Sequence, residues 1–289
     1  MSRFARRLQF SPKRVSGGSS GDPLAALIAS APPAGTSSAP SGPMVGTPSE
    51  FDYTRLATNE VWDHFNGTTL DDRLWQRDYI NQGGSQIYHD PGLFLDGNGH
   101  AVMECTRTNG TIYSGRFTSR ERFAMKYGWC AARIKMPQAI GSVGRSWFPA
   151  FWLLLVDYNA SPYYAEFDIM EQFGDSAEYS THFHLDQPSR FESYVNVPPA
   201  HDNDASQNYH TYWMLWELDR VRVGVDQVMM GDWNPSDMPA GTWDAHMRQP
   251  MYYIMNFAAA PGWLPAPQPS DFPAQMSVDW MWYKPLDLL

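Results

Sequence analysis

The sequence predicts an all-β protein, a β-sandwich or jelly roll of two antiparallel sheets. From Glu60 onward, short apolar or alternating runs recur, separated by Gly, Pro, Asn and Asp, which is typical of strands joined by turns. Helix signals are few and short, such as LDDRLW at residues 70–75. Many strands with almost no helix indicate two sheets that bury one core between them.

The strands are assigned in chain order from their alternation and from the turn residues that separate them. DGNG at residues 96–99 is a clear turn between two of them. The assigned strands are VWDHF, SQIYHD, LFLD, HAVMECTR, IYSGRFTSR, GWCAARIKM, FPAFWLLL, AEFDIMEQF, YSTHFHLD, SYVNV, YHTYWMLWEL, RVRVGVD, MYYIMNFA and MSVDWMWY.

The N-terminal region differs in composition and predicts an irregular arm. Residues 1–14 contain five basic residues and no acidic one, and Ser, Gly, Ala and Pro then dominate to about residue 47. Such a composition cannot bury a core and is typical of a linker. We therefore predict an arm and linker at residues 1–58 and one β domain at residues 59–289.

The same region gives no convincing secretory signal. Arg6 and Arg7 are followed by polar residues, and the apolar stretch PLAALIASA is short and far from these charges. A cleaved signal and secretion remain the alternative. No apolar run approaches the about 18 residues of a membrane-spanning helix, and a net charge of −10 disfavours nucleic acid as a partner. Cys105 and Cys130 are expected to be two buried thiols rather than a disulfide.

Three carboxylates lie close together in EFDIME at residues 166–171. Because strand side chains alternate, Glu166 and Asp168 share one face, and a β-bulge just before Glu171 would bring its side chain to the same face. Neighbouring carboxylates raise at least one pKa, and a glycosidase uses one protonated and one ionised carboxyl group. The alternative is a solvated strand face with a chance acidic cluster.

EFDIMEQFG, following PAFWLL, resembles the catalytic signature of glycoside hydrolase family 16, and the likeness extends over about residues 59–285. The resemblance implies that Glu166 is the nucleophile, that Asp168 supports it by a hydrogen bond, and that Glu171 is the acid/base. The extra residue before Glu171 resembles the bulged branch of laminarinase-like, agarase-like and carrageenase-like enzymes. Other stretches match in the same order: FNGTTLDDRLW, GLFLDGNGHAVMECTR, SGRFTSRERFAMKYGWCAARIKMP, YHTYWMLWELDRVRVGVDQ, PMYYIMNFAAAPGW and MSVDWMWYKP.

The resemblance implies a concanavalin-like jelly roll with a concave cleft, and a retaining endo-glycosidase that hydrolyses β-linked polysaccharide without a cofactor. A β-1,3-glucan is the default substrate, or else another envelope or matrix glycan. Ser161-Pro162 stands where laminarinases usually have Trp-Pro, a departure that leaves the chemistry intact and the substrate open. The alternative is a non-catalytic carbohydrate-binding or adhesive module. The basic arm and linker also resemble those of a virion-associated phage tail enzyme, which would act on an extracellular glycan as part of a larger assembly.

Two histidines are candidates for substrate contact. His182 and His184 lie on one face of the next strand, where the family often directs a histidine at the sugar. His184 is the better candidate, and for His182 a hydrogen-bonded strand histidine is an equal alternative. A zinc site is rejected, because two histidines without a nearby third ligand leave the tetrahedral shell incomplete.

Aromatic and basic residues complete the predicted site. Trp147 is predicted as the stacking platform and Trp152 as core support, since neighbouring side chains of one strand alternate between core and cleft. The remaining substrate-binding candidates are Tyr164, Trp216 in the core or cleft floor, Trp263 at the rim, and Arg116 or Arg120.

One metal site is also implied by the resemblance. Family members commonly hold a structural calcium with an Asp of the final strand, a place that Asp279 occupies. Calcium prefers oxygen ligands. The alternative is an exposed strand carboxylate.

Overall fold

The computed structural model confirms an all-β protein. It describes residues 31–33, 35, 37–45, 54–80, 86–137, 147–157, 164–172, 179–186, 191–197, 205–259 and 266–287, with the backbone alone for residues 191–197. Among these residues, the helices are too short to cross a membrane.

The strands follow the order of the predicted runs. They are β1 (Arg55–Leu56), β2 (Val61–Asp63), β3 (Gln76–Arg77), β4 (Gln86–Tyr88), β5 (Leu93–Leu95), β6 (Ala101–Thr108), β7 (Thr111–Ser114), β8 (Arg116–Thr118), β9 (Phe123–Ala124), β10 (Gly128–Lys135), β11 (Trp147–Leu155), β12 (Ala165–Glu171), β13 (Tyr179–Leu185), β14 (Phe191–Val197), β15 (His210–Trp216), β16 (Val221–Val225), β17 (Val228–Trp233), β18 (Met251–Ala259) and β19 (Ala274–Pro285). Within the described ranges, one short helix, α1 (Thr242–His246), and three 3₁₀ turns, Asp90–Gly92, Pro235–Asp237 and Pro269–Asp271, accompany them.

Two large sheets form the sandwich. The ten-stranded sheet has the order β17-β16-β15-β10-β19-β6-β7-β4, with β2 beside β19 and β5 beside β6, and the seven-stranded sheet has the order β14-β13-β12-β11-β18-β8-β3. The parallel pairs are β1 with β9, a separate two-stranded sheet, and β4 with β7. All other strand pairs between described residues are antiparallel.

The core lies between the inner faces of the two large sheets. Phe167 of β12 packs edge-on against Trp216 of β15, with ring centroids 5.9 Å apart, and against Phe183 of β13. Burial of each such aromatic side chain contributes about 1.5–3 kcal/mol of hydrophobic stabilisation. This packing fixes which face of β12 points inward, and therefore leaves its carboxylates on the outer face.

A second aromatic cluster covers part of the ten-stranded sheet on the side away from the core. Trp129 and Trp213 stack there with centroids 5.3 Å apart, and Trp280 and Trp282 join them. All four are at most 5% exposed. These tryptophans therefore belong to the far side of the molecule from β12.

The hydrogen-bonded fold begins before Asn59. Ser38 donates its backbone N–H to Trp62 O, and its hydroxyl accepts from Trp62 N. Leu56 pairs with Ala124 in the small parallel sheet, and Val45 packs beside a cluster on the outer face of the seven-stranded sheet. The described residues of the predicted linker thus lie against the sandwich. Contacts with the β domain therefore begin before residue 59, the predicted domain boundary.

The two cysteines are buried free thiols, as predicted. Burial raises the pKa of both Cys105 and Cys130 to about 12. A thiol with such a pKa is almost fully protonated at neutral pH and therefore weakly nucleophilic.

Candidate active site

A β-bulge in β12 places all three carboxylates on one face, as the sequence predicts. Asp168 is opposite His182 of β13 and Glu171 is opposite Ser180, so three steps along β12 match two along β13. The side chains of Ile169 and Met170, within the bulge, are both buried in the core. The bulge thereby turns the side chain of Glu171 to the same face as those of Glu166 and Asp168.

The three carboxylates differ in exposure. The side chain of Asp168 is 3% exposed and that of Glu171 is 12% exposed, while Glu166 is half-buried. Burial, and then the negative charges of Glu171 and Glu166, raise the pKa of Asp168 well above its usual value. The buried Asp168 therefore resists ionisation between two more exposed glutamates.

Tyr164, predicted to bind substrate, contacts the predicted nucleophile Glu166. Its hydroxyl donates a hydrogen bond to Oε2 of Glu166. Burial raises the pKa of Glu166, whereas the hydroxyl of Tyr164 and the nearby His184 oppose that rise. Tyr164, predicted as a substrate ligand, therefore orients Glu166 and favours its ionised form.

The predicted hydrogen bond between Asp168 and Glu166 does not occur among the described contacts. Instead, the Oδ2 atom of Asp168 is buried and accepts no hydrogen bond from the described residues, while its backbone carbonyl accepts one from Thr181 Oγ1. Asp168 therefore lies beside Glu166 on the same strand face without bonding to it among the described residues.

His182 and His184 both lie beside the carboxylates. Nδ1 of His182 contacts Oε2 of Glu171, and Nε2 of His184 lies 3.4 Å from Oδ2 of Asp168. The two rings stack with centroids 5.7 Å apart. Zinc was rejected because no third ligand was expected near the two histidines. That reason is wrong, because strand pairing brings Asp168 close to both of them as a third potential ligand.

The predicted roles of two tryptophans are exchanged. Trp147 is 2% exposed and packs in the core against Phe257 and Phe272, so it cannot be a stacking platform. Trp152 is half-buried and is opposite Asp168 on the neighbouring strand. Its indole N–H donates to Asn256 Oδ1 at 2.7 Å. Trp152 is therefore the tryptophan on the carboxylate face.

Arg116 supports this tryptophan. Its guanidinium carbon lies 5.3 Å from the centroid of the Trp152 ring, and its Nε atom donates to Oδ2 of Asp78 at 2.9 Å. The carboxylate partner of Arg116 is therefore Asp78 and not one of the three carboxylates of β12. Arg120 pairs with its neighbour Glu121 at 3.8 Å.

Two further predicted contacts have different outcomes. Trp216 is fully buried in the core, and its indole N–H donates to Met247 O, so it does not reach a substrate. Trp263 lies outside the described residues.

Asp279, the predicted calcium ligand, has a cationic partner in the structure. Its carboxylate pairs with the guanidinium of Arg133, which already supplies the positive charge. Among the described side chains, potential metal ligands converge at Asp168, His182 and His184 and not here. The structural calcium at Asp279 stays a prediction.

The face around β12 combines groups that suit acid–base and nucleophilic chemistry. Two partly exposed glutamates lie on either side of a buried aspartate, each glutamate has a specific partner, and an indole lies on the adjacent strand. The histidine and indole contacts depend on strand pairing, so the linear order of residues could not reveal them. Tyr164, in contrast, lies only two residues before Glu166, a spacing that places both side chains on one face of an extended chain. The alternation of β11 alone could have shown that Trp147 and Trp152 lie on opposite faces.

Known proteins share both the sequence pattern and the fold. The model of the family described as glycosyl hydrolases family 16 matches residues 82–282. Glucan endo-1,3-beta-glucosidase A1 of Niallia circulans is 26% identical over 278 residues, covering 82% of this chain and 39% of that protein. The chain therefore spans well under half the length of this relative.

Solved structures agree with the fold. A laminarinase from Flavobacterium sp. UMI-01 has a TM-score of 0.68 at 24% identity, over 77% of this chain and 98% of that one. The laminarinase catalytic domain from Thermotoga maritima MSB8 has a TM-score of 0.67 at 23% identity, over 78% and 97%. With the family match covering most of the sequence, the chain belongs to glycosyl hydrolases family 16, whose members hydrolyse glycosidic bonds.

Proposed function

We propose that this protein is a retaining endo-glycosidase that hydrolyses a β-1,3-linked glucan. The observation that carries the proposal is the bulged strand β12, which presents Glu166 and Glu171 on one face with the buried Asp168 between them. The substrate is inferred from relatives described as a glucan endo-1,3-beta-glucosidase and as laminarinases.

The reaction proceeds in two displacements. Glu166 attacks the anomeric carbon, and Glu171 gives its proton to the departing glycosidic oxygen as the bond breaks. Glu171 then takes a proton from water, which attacks the anomeric carbon and releases Glu166. The Tyr164 hydroxyl holds the nucleophile in one rotamer, and no metal or organic cofactor takes part.

Variants of the two glutamates test this proposal. Glu166→Gln and Glu171→Gln should each reduce release of reducing sugar from a soluble β-1,3-glucan by at least about 1,000-fold. The matched control is Glu104→Gln, which changes a half-buried glutamate of the other sheet, bonded to Gln275. Full activity of Glu166→Gln in a correctly folded protein would refute the assignment.

Product analysis tests the finer claims. NMR of fresh products should show the β anomer first, as retention requires, and early digests should contain a broad range of oligomer sizes, as endo cleavage requires. A panel that adds mixed-linkage glucan, agar and carrageenan tests the substrate. Glycan binding without any turnover would instead support the alternative of a non-catalytic carbohydrate-binding module.

The cellular setting stays a prediction. Residues 1–30, which carry the basic arm, lie outside the described residues. Attachment to a phage tail or another larger assembly, and secretion as the alternative, both await fractionation of the natural source.

A further inference from the structure

Three potential metal ligands converge on the carboxylate face. One ligand atom each from Asp168, His182 and His184 lies within 4.8 Å of the other two. A carboxylate with two imidazoles is a donor set that zinc enzymes use, with the fourth position left open. The proposed hydrolysis uses none of these three side chains as nucleophile or proton donor.

A second observation points to a ligand at this place. Oδ2 of Asp168 is buried and accepts no hydrogen bond from the described residues, and the whole side chain is 3% exposed. Its nearest described partner is Nε2 of His184, 3.4 Å away. A buried carboxylate oxygen with only such a long contact carries an unfavourable desolvation cost. A cation bound at this oxygen would remove that cost.

The geometry suits an ion of the size of zinc. Two ligands at normal zinc distances in a tetrahedral shell are about 3.3 Å apart. Nε2 of His184 lies 3.4 Å from Oδ2 of Asp168, so this pair needs almost no movement. The stacked His182 ring is adjacent and can join by rotation of its side chain.

The surrounding charge favours a cation. Glu166 and Glu171 lie on the same face of β12, one on either side of Asp168. Glu171 also contacts Nδ1 of His182, and a carboxylate in contact with a ligating histidine fixes the orientation of its ring.

We propose that Asp168, His182 and His184 form an inhibitory binding site for Zn²⁺ or a similar borderline divalent cation. The bound ion occupies the space between the two glutamates and excludes the sugar. Inhibition rests on the proposed hydrolytic function, whereas binding of the ion does not, so the two claims can fail separately.

Titration calorimetry of the full, tag-free chain with zinc chloride tests binding directly. One ion per chain should bind, and His182→Ala and His184→Ala should each weaken binding by at least about tenfold. The matched control is His100→Ala, because His100 forms a similar pair with Asp96 at 2.8 Å on the protein surface. The control variant should bind zinc as the unmodified protein does.

Hydrolysis assays test the consequence. Zinc should inhibit competitively with the glucan, chelation by EDTA should restore activity, and any activity left in His184→Ala should resist zinc at the concentrations that inhibit the unmodified protein. Zinc binding that is absent, that survives both histidine changes, or that disappears in His100→Ala overturns the site. If the protein binds zinc through these histidines but hydrolyses no glycan, the proposed function fails and the metal site stands.

Discussion

Removal of one hydroxyl group should reveal how the nucleophile is kept ionised. Tyr164→Phe removes the O–H that donates to Glu166 while it preserves the ring. A hydrogen bond to a charged group is worth about 1.5–3 kcal/mol, which corresponds to a loss of about 10- to 150-fold in kcat/KM. Because that bond favours the ionised carboxylate, its loss should also raise the pKa of Glu166.

The assay is the pH dependence of kcat/KM for a soluble glucan, measured in EDTA. Glu166 must be ionised to attack, so the acidic limb of the profile should move to higher pH in Tyr164→Phe. Tyr209→Phe is the matched control, since its hydroxyl bonds to Ser277 of the other sheet at 2.7 Å, and its profile should match that of the unmodified protein. An unshifted acidic limb in Tyr164→Phe would show that Tyr164 does not tune Glu166.

Two further predictions test the fold and the site. Trp147→Ala should lower the free energy of unfolding, measured by denaturant titration, by about 3–5 kcal/mol, because it empties a core position. Trp152→Ala should mainly raise KM, by up to about tenfold. The opposite pattern would support the roles predicted from sequence, with Trp147 in the cleft and Trp152 in the core. Burial raises the pKa of Asp63 from 3.8 to about 6, so its ionisation should cost up to about 3 kcal/mol of stability as pH rises through this window. Asp63→Asn lacks that cost. Between pH 4 and pH 6 the unmodified protein should therefore lose stability relative to the variant, as measured by urea unfolding. A stability difference that stays constant over this range would contradict the raised pKa of Asp63.

The sequence by itself determined the class of fold and the strand that carries the three carboxylates. Alternation and turn residues predict short strands, because a half-buried strand must separate apolar from polar side chains with a period of two. The same rule predicts the bulge before Glu171, since without it one carboxylate would point into the core. The order of residues within one segment is therefore enough to predict a strand, and which side chains share a face, when one face is apolar and the other polar.

The tertiary structure decided what local order leaves open. Strand β11 is apolar on both faces, so its sequence could separate Trp147 from Trp152 but could not say which one is buried; packing against Phe257 and Phe272 decides it. Cross-strand register likewise brings His182 opposite Asp168, although 13 residues separate them along the chain. Such contacts depend on pairing between strands, a property of the whole sheet that no single segment of the chain contains.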